Sequence, residues 1–257
     1  MQSGAREILA LVAGGVDYGE ADRVVHLLTS DGALSAFAHG AKKSKRRFSG
    51  CLEPFTTIRA QLTESRRARG AMPTLAQAQA ERVRLELRGS LEAIALASYA
   101  LELSRAVSPE GQDATAQFTL TEALLDHLEA APATVALRRA FELKTLVELG
   151  YAPDLGACAV CGRDLERAWL DLVQGGVLCP LHRGQAREVG PKTLGWARAV
   201  LEAEGILPDG NDEAWAETAA QRLAIPVGAM WAEVLDRPLN SVTLLDSVLG
   251  NPGTTSA

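Results

Sequence analysis

The sequence has few of the features that mark secreted or membrane-spanning proteins. It contains four cysteines in 257 residues, and three of them crowd between positions 158 and 179, which does not suit the disulfide framework of a secreted domain. No apolar run reaches the roughly 20 residues that a membrane-spanning helix needs. Arg6 and Glu7 stand where a signal peptide would have its apolar core. We therefore expect a protein with no membrane association that works in the reducing cytoplasm.

The composition is that of a folded, globular chain. Hydrophobic residues make up 47% and charged residues 23% of the sequence, values that exclude disordered, collagen-like and coiled-coil classes. At roughly 100 to 150 residues per domain, the length predicts one large or two modest domains.

The charge is distributed unevenly along the chain. The net charge is −6, but residues 1–80 hold 11 Lys and Arg against 7 Asp and Glu, whereas the remainder holds 15 against 25. A basic amino-terminal part followed by an acidic remainder predicts that the two parts bind different partners.

Short alternating runs rich in branched residues predict strands in the first 80 residues. The Ser30-Asp31-Gly32 segment between two of these runs is typical of a hairpin turn. Closure of such strands into a barrel removes exposed edges, so we expect a small barrel such as an OB-fold. The predicted strands cover 8–12, 24–29, 34–39 and 55–62, with a fifth between 68 and 80.

From residue 81 the sequence takes on helical spacing of Ala, Leu and Glu. Helices are predicted over 88–106, from Thr119 or Thr121 to 129, and over 133–149, 192–204, 212–223, 227–235 and 241–249. A non-helical insert occupies about 152–190. The predicted architecture is thus α+β and multidomain, with an OB-fold barrel in 1–80 and a helical domain with an insert in 81–257.

The insert carries two pairs of possible metal ligands. Two residues separate Cys158 from Cys161, and two separate Cys179 from His182, while Gly162 permits a tight turn after the first pair. Two such pairs supply the four soft or borderline donors of a closed, structural Zn²⁺ site. The alternative is that they are free thiols and a surface histidine in a loop. Because the protein would fill all four positions, no open site for a catalytic water is expected.

A run of cations lies between the third and fourth predicted strands. It consists of Lys42, Lys43, Lys45, Arg46 and Arg47. The neighbouring Phe48 offers a ring for stacking, and Arg59 and Arg66 add charge nearby. Cations that follow a phosphate backbone beside an aromatic ring are typical of single-strand binding. A solvated charged face is the alternative.

No arrangement typical of catalysis emerges. His26 and His39 lie in strand-like runs, and neither Ser30 nor Ser44 has a histidine that spacing would place beside it. We therefore expect no enzyme. Two other functions stay open: a zinc-ribbon, RNA-binding transcription or translation accessory factor, and a metal-dependent nuclease, which would need converging carboxylates.

Several stretches, in order along most of the chain, resemble the bacterial RecO family of recombination mediators. The matching segments are DYGEADR at 17–23, HGAKKS at 39–44, LEPF at 52–55, LGYAP at 149–153 running into Cys158, and RPLNS at 237–241. The sequence departs from the family at His182, since members with the metal site usually have a fourth cysteine there. A Cys3His set still suits zinc.

The resemblance implies an amino-terminal OB-fold, a helical domain with a zinc-binding insert, and no enzymatic activity. It implies binding of single- and double-stranded DNA, annealing of complementary strands, and work at the nucleoid with RecR and single-strand-binding protein SSB, so that RecA loads at gaps. In the family the helical domain receives the acidic, apolar tail of SSB. Arg138, Arg139 and Lys144 on the third predicted helix are the candidate contacts, with ordinary surface cations as the alternative.

Overall fold

A computed structural model of the chain describes residues 5–44, 46–48, 50–63, 72–165, 167–210 and 212–250. Within these ranges the chain forms two compact units. One comprises residues up to 90 together with 100–130, and the other comprises 91–99 and the residues from 131 onward.

The first unit is built on a closed five-stranded barrel. Strand order is β1-β2-β3-β5-β4, and β4 pairs with β1 to complete the closure. The pairing is antiparallel except between β3 and β5, which meet in parallel. This confirms the predicted OB-fold. The strands are β1 (Ala5–Tyr18), β2 (Asp22–Thr29), β3 (Gly32–Ala38), β4 (Thr57–Thr63) and β5 (Thr74–Arg82).

Strand β1 is longer than the sequence predicts. We expected it to end at residue 12, but it continues to Tyr18. Its pairing with β2 shifts between Val12 and Gly14, where Gly14 has a φ of +141°. A glycine at positive φ lets a strand bulge and bend without ending, which adds twist at the rim of a barrel.

The barrel core follows from strict alternation along the strands. In β3, Leu34, Ala36 and Ala38 are buried, whereas Ser35 and Phe37 between them are half-buried on the outer face. Phe48, from the loop after β3, joins the same core. Removal of these apolar side chains from water is the main force that holds the barrel closed.

A buried arginine attaches a helix to the barrel. Arg84 is 1% exposed and donates to the carbonyl of Phe55 at 2.9 Å. Its Nη2 lies 2.7 Å from Oδ1 of Asp126, on helix α2 (Thr115–Ala130).

Residues Glu86–Gly89 form a short 3₁₀ helix. Helix α1 (Leu91–Val107) contributes residues 91–99 to the second unit and the rest to the first.

The second unit is helical and centres on α3 (Val135–Glu148). Thr134 caps this helix by accepting a hydrogen bond from the Leu137 amide at 3.0 Å. Most of its side chains are buried, because it packs against α4, α5 and α6. The predicted helices are confirmed with small shifts of their ends. The remaining helices are α4 (Pro191–Glu202), α5 (Glu213–Arg222), α6 (Ala224–Val234) and α7 (Val242–Leu249).

The insert between α3 and α4 contains no helix in its described residues, as predicted, and the structure shows that it forms a small sheet. Its strand order is β7-β6-β8, and all pairs are antiparallel. Gly176 packs so tightly that a Cβ there would lie 2.0 Å from the carbonyl oxygen of Asp154, so no other residue fits. The strands are β6 (Ala168–Asp171), β7 (Gly176–Leu178) and β8 (Arg187–Val189).

In the described ranges, none of the helices combines the length and the apolar character needed to cross a bilayer.

Candidate functional sites: a metal centre, a basic loop and a groove

The four predicted metal ligands converge on one point of the insert. Their ligand atoms all lie within 4.8 Å of one another. Nδ1 of His182 is 3.6 Å from Sγ of Cys158 and 3.4 Å from Sγ of Cys179. In a tetrahedral zinc site with bonds of about 2.3 Å to sulfur and 2.0 Å to nitrogen, neighbouring ligands are separated by roughly these distances. The cluster can therefore hold a metal ion.

Tight turns place each pair of ligands. The Gly162 amide donates to the carbonyl of Cys158 at 2.7 Å, and Gly162 adopts a φ of +68° that favours glycine. The His182 amide donates to the carbonyl of Cys179 at 3.0 Å. Both two-residue spacings thus form closed loops, with Cys179 directly after strand β7.

The electrostatics of the cluster favour a bound cation. Burial raises the pKa of the Cys158 thiol, but hydrogen bonds from the amides of Cys179, Cys161 and Val160 and from His182 outweigh it and lower the pKa to about 5. The Arg163 amide lowers the pKa of Cys161, but burial and the sulfurs of Cys158 and Cys179 outweigh it and raise that pKa. The negative charge of one thiolate thus opposes ionisation of the next thiol. The positive charge of a bound metal ion would offset this repulsion and stabilise the thiolates together.

The basic loop, residues 42–47, follows β3 along the chain, and the structure describes all of it except residue 45. Among its described residues Lys42, Lys43, Arg46 and Arg47 are all exposed. Backbone hydrogen bonds anchor the loop at both ends. The Lys42 amide donates to the carbonyl of Ala21 at 3.0 Å, and the Ala78 amide donates to the carbonyl of Arg47 at 2.9 Å. A fixed backbone with exposed cationic side chains is suited to contact phosphates. Two predicted contacts, Lys45 and Arg66, lie outside the described residues.

Two neighbours of the loop differ from the expectation. Phe48 is 1% exposed and packs in the barrel core, so its predicted role as a stacking ring is wrong. Removal of this apolar ring from water favours its place in the core. The Arg47 guanidinium lies over the ring, 5.2 Å from its centroid. Arg59 is exposed on β4 but forms ion pairs with Glu7 at 3.2 Å and Glu81 at 3.3 Å.

Arg138 and Arg139 are not surface cations. They are 6% and 2% exposed, so the expectation of freely accessible charges on this helix is wrong. Both pair with the buried carboxylate of Glu142, and Tyr99 donates to the same carboxylate at 2.7 Å. Burial raises the pKa of Glu142, but the charges of Arg139 and Arg138 outweigh it and hold the pKa below its usual value. The spacing of three and four residues before Glu142 was the sequence signal for these pairs.

The two arginines nevertheless line a groove of about 790 Å³ in the helical unit. Its wall is largely apolar and includes Ile225, Trp231 and Leu239. Nε and Nη2 of Arg139 and the indole N–H of Trp231 are buried and have no hydrogen-bond partner among the described residues. Lys144 donates to the carbonyl of Ala203 at 2.6 Å and is not among the residues that line the groove.

Comparison with known proteins gives one consistent result. The family model of the recombination protein O N terminal matches residues 7–84, and that of its C terminal matches residues 88–208. A DNA repair protein RecO of Anaeromyxobacter sp. (strain K) is 41% identical over 232 residues, which cover 89% of this chain and 88% of the relative. The chain belongs to the RecO family. Relatives named DNA repair protein RecO from Pelobacter propionicus and Geobacter sulfurreducens are 39% and 34% identical, over 83% and 92% of this chain.

Membership of the RecO family identifies the chain as a DNA repair protein and agrees with its architecture. The first RecO model ends at residue 84, just after β5, and the second begins at residue 88 and includes the metal cluster. In the part of the chain that the structure describes, this Cys and His cluster is the one group of three or more such residues arranged to hold a metal ion. The nuclease alternative thus gains no support there.

Proposed function

We propose that this RecO-family protein is a non-catalytic mediator of homologous recombination. It binds single- and double-stranded DNA on its barrel, anneals complementary strands, and helps RecR and SSB to load RecA at gaps, in the cytoplasm at the nucleoid. The observation that carries the proposal is the basic loop, whose described cations are all exposed on the barrel of a chain with net charge −6.

The charge of the loop explains binding that is independent of sequence. Each phosphate that a lysine or arginine neutralises releases condensed counterions, which favours the complex most at low salt. The loop residues reach phosphates from an anchored backbone, so they hold a strand without reading its bases. Lys42, which also pairs with Asp17 at 2.8 Å, exchanges one exposed carboxylate for a phosphate.

Annealing follows from the same surface. Two complementary strands repel each other through their phosphates, and neutralisation of both lets their bases meet. Such a reaction needs a surface of suitable charge and no nucleophile or general base.

The metal of the insert is, in our proposal, Zn²⁺ in a structural role. Cys158, Cys161, Cys179 and His182 would hold it and supply all four ligands. The ion would fix the two turns of the insert and leave no position for substrate.

The groove of the helical unit is our proposed site for the acidic, apolar tail of SSB. Ile225 and Trp231 provide apolar contacts, and the positive charges of Arg138 and Arg139, which line the groove, favour the carboxylates of an acidic tail. This proposal replaces the expected contact by exposed Arg138, Arg139 and Lys144 with a contact inside a groove. The roles of RecR and RecA are proposed from family membership.

The test is strand annealing by the purified protein without nucleotide, on bare and on SSB-coated complementary oligonucleotides. We expect annealing of both, and slower annealing when Lys42, Lys43 and Arg46 are all replaced by Gln. A protein that anneals neither, or that binds structured RNA more tightly than single-stranded DNA, would contradict the proposal and favour an RNA-binding accessory factor.

A further inference from the structure

Three aromatic rings meet on the outer surface of the barrel. The Tyr18 and Phe37 rings lie edge to face with centroids 5.4 Å apart, and the Phe37 and His39 rings are 4.5 Å apart. Tyr18 is 63% exposed, and the side chain of His39 is 62% exposed. We refer to Tyr18, Phe37 and His39 as the aromatic platform. None of the three takes part in the metal centre, the basic loop or the groove.

The pairing of the strands builds the platform. Val16 of β1 and Phe37 of β3 both pair with Val24 of β2, so these side chains form one row on the outer face. Tyr18 lies two residues beyond Val16 on the same face, and His39 lies two residues beyond Phe37. The rings therefore line one edge of the outer sheet, near the end of β1 that extends past the bulge.

The surface around the platform is unusually apolar for a solvated sheet. Val16 is 61% exposed beside Tyr18, and Val24 between the strands is half-buried. Aromatic residues make up 5% of the chain, yet here two of them and a histidine contact one another on the outer face of the barrel. An exposed cluster of large apolar groups on a folded protein marks a binding surface.

Hydrogen bonds hold the platform beside the basic loop. Arg47 donates to the carbonyl of His39 at 2.6 Å, and the Gly40 amide donates to Asp22 at 2.7 Å. The other oxygen of Asp22 is 3.6 Å from Nδ1 of His39. On the other side, Lys42 pairs with Asp17, next to Tyr18. Cations thus flank the rings at both ends.

We propose that the aromatic platform stacks the unpaired bases of single-stranded DNA while the basic loop holds the adjoining phosphates. The inference rests on the proposed DNA binding and deepens it, because it assigns base contacts to three residues. Stacking on an aromatic ring requires a free base face and tolerates any base. Duplex DNA hides those faces, so the platform gives single strands an advantage that the loop alone does not.

The test compares three labelled probes of equal length: oligo-dT, an abasic strand with the same phosphates, and a blunt duplex. Tyr18→Leu keeps an apolar side chain but removes the ring, and Tyr18→Phe keeps the ring as the matched control. Because stacking contributes about 1 to 3 kcal/mol per base, we expect Tyr18→Leu to weaken oligo-dT binding by roughly fivefold or more. Binding of the abasic strand and of the duplex should change by less than about twofold, and Tyr18→Phe should match the wild type.

A second exposed position keeps the test independent of folding. His39→Ala should show the same selective loss, with unfolding midpoints of both variants near that of the wild type. Equal oligo-dT binding by Tyr18→Leu, His39→Ala and the wild type overturns the inference, as does an equal loss for the abasic strand. In either case the proposed function stands if replacement of the loop cations weakens all three probes. If the wild type binds none of the probes, the proposed function fails and the inference fails with it.

Discussion

Arg47 donates a hydrogen bond of 2.6 Å to the backbone carbonyl of His39, and this bond joins the basic loop to the aromatic platform. The arginine therefore links the loop that we propose to bind phosphates to the platform that we propose to bind bases. Phosphates and bases recur at regular intervals along a single strand of DNA. A protein that contacts both therefore needs its two contact surfaces at a constant distance from each other.

The basic loop should control the salt dependence of DNA binding. Replacement of Lys42, Lys43 and Arg46 by Gln removes three cations and leaves Arg47 bonded to His39. Each lost phosphate contact lowers the slope of log K against log salt by about 0.7 for single strands, so we expect a fall of about two. The measurement is a titration of labelled oligo-dT at several salt concentrations.

The matched control for the loop is a pair of exposed arginines of the metal insert. Arg163→Gln together with Arg187→Gln should leave the slope within error of the wild type, because these cations lie on a different unit. An unchanged slope in the loop variant would show that the run is only a solvated charged face.

The metal centre should bind one Zn²⁺ per chain and stabilise the insert. His182→Ala and Cys179→Ser each remove one ligand and should lower the zinc content measured by elemental analysis of the purified protein. Chelation of the wild type should lower its unfolding temperature. Cys51→Ala is the control, since this buried cysteine belongs to the barrel core, and it should keep the zinc. A metal-free wild type would refute the assignment.

The groove should bind the SSB tail through its apolar wall. Ile225 is 42% exposed and lines the groove, so Ile225→Ser removes an apolar contact without emptying the core. Burial of such a side chain contributes about 1.5 kcal/mol or more, and we expect the affinity for an SSB-tail peptide to fall at least about fivefold. Leu244→Ser is the matched control, because Leu244 is 44% exposed and does not line the groove. Equal losses in both variants would place the peptide elsewhere.

Glu142 should make stability depend on pH. Since the pKa of this carboxyl is lowered by folding, its contribution is complete above the usual value of 4.5 and is lost as the pH falls below it. Glu142→Gln leaves two buried guanidinium groups without a counter-charge, and we expect a loss of about 3 kcal/mol or more in the free energy of unfolding at pH 7.

Urea unfolding at pH 7 and at pH 3 measures this effect. The difference between wild type and Glu142→Gln should shrink at the lower pH, because the Glu142 carboxyl of the unfolded wild type is protonated there and folding must remove that proton. Glu148→Gln, on the exposed side of the same helix, should cost little at either pH. A difference that stays constant with pH would show that charge pairing is not what Glu142 contributes.

The elements that local pattern controls could be predicted from the sequence. The alternation of apolar and polar residues in β3 and the ligand spacing around Cys158 and Cys179 are local signals. They predicted the barrel and the metal cluster correctly. The continuation of β1 past Gly14 could not be predicted in this way, because a glycine that bulges a strand and a glycine that ends it look alike. With that extension unseen, the pairing that brings Tyr18 beside Phe37 was also unseen.

The burial of certain charged and aromatic side chains also could not be predicted from the sequence. Phe48 follows five cations, and Arg138 and Arg139 lie on an amphipathic helix, so sequence alone favours the surface for all three. The barrel core takes in Phe48, and the counter-charge of Glu142 lets the two arginines be buried. Both outcomes depend on tertiary contacts that no local pattern records.

The central claim is that DNA binds on the barrel, and amide hydrogen exchange of the full-length protein with and without oligo-dT tests it most directly. We predict slower exchange on binding at residues 16–24 and 36–48, which include the aromatic platform and the basic loop, with the helices from residue 135 onward unchanged. Slower exchange confined to those helices, with none at the barrel, would contradict the account.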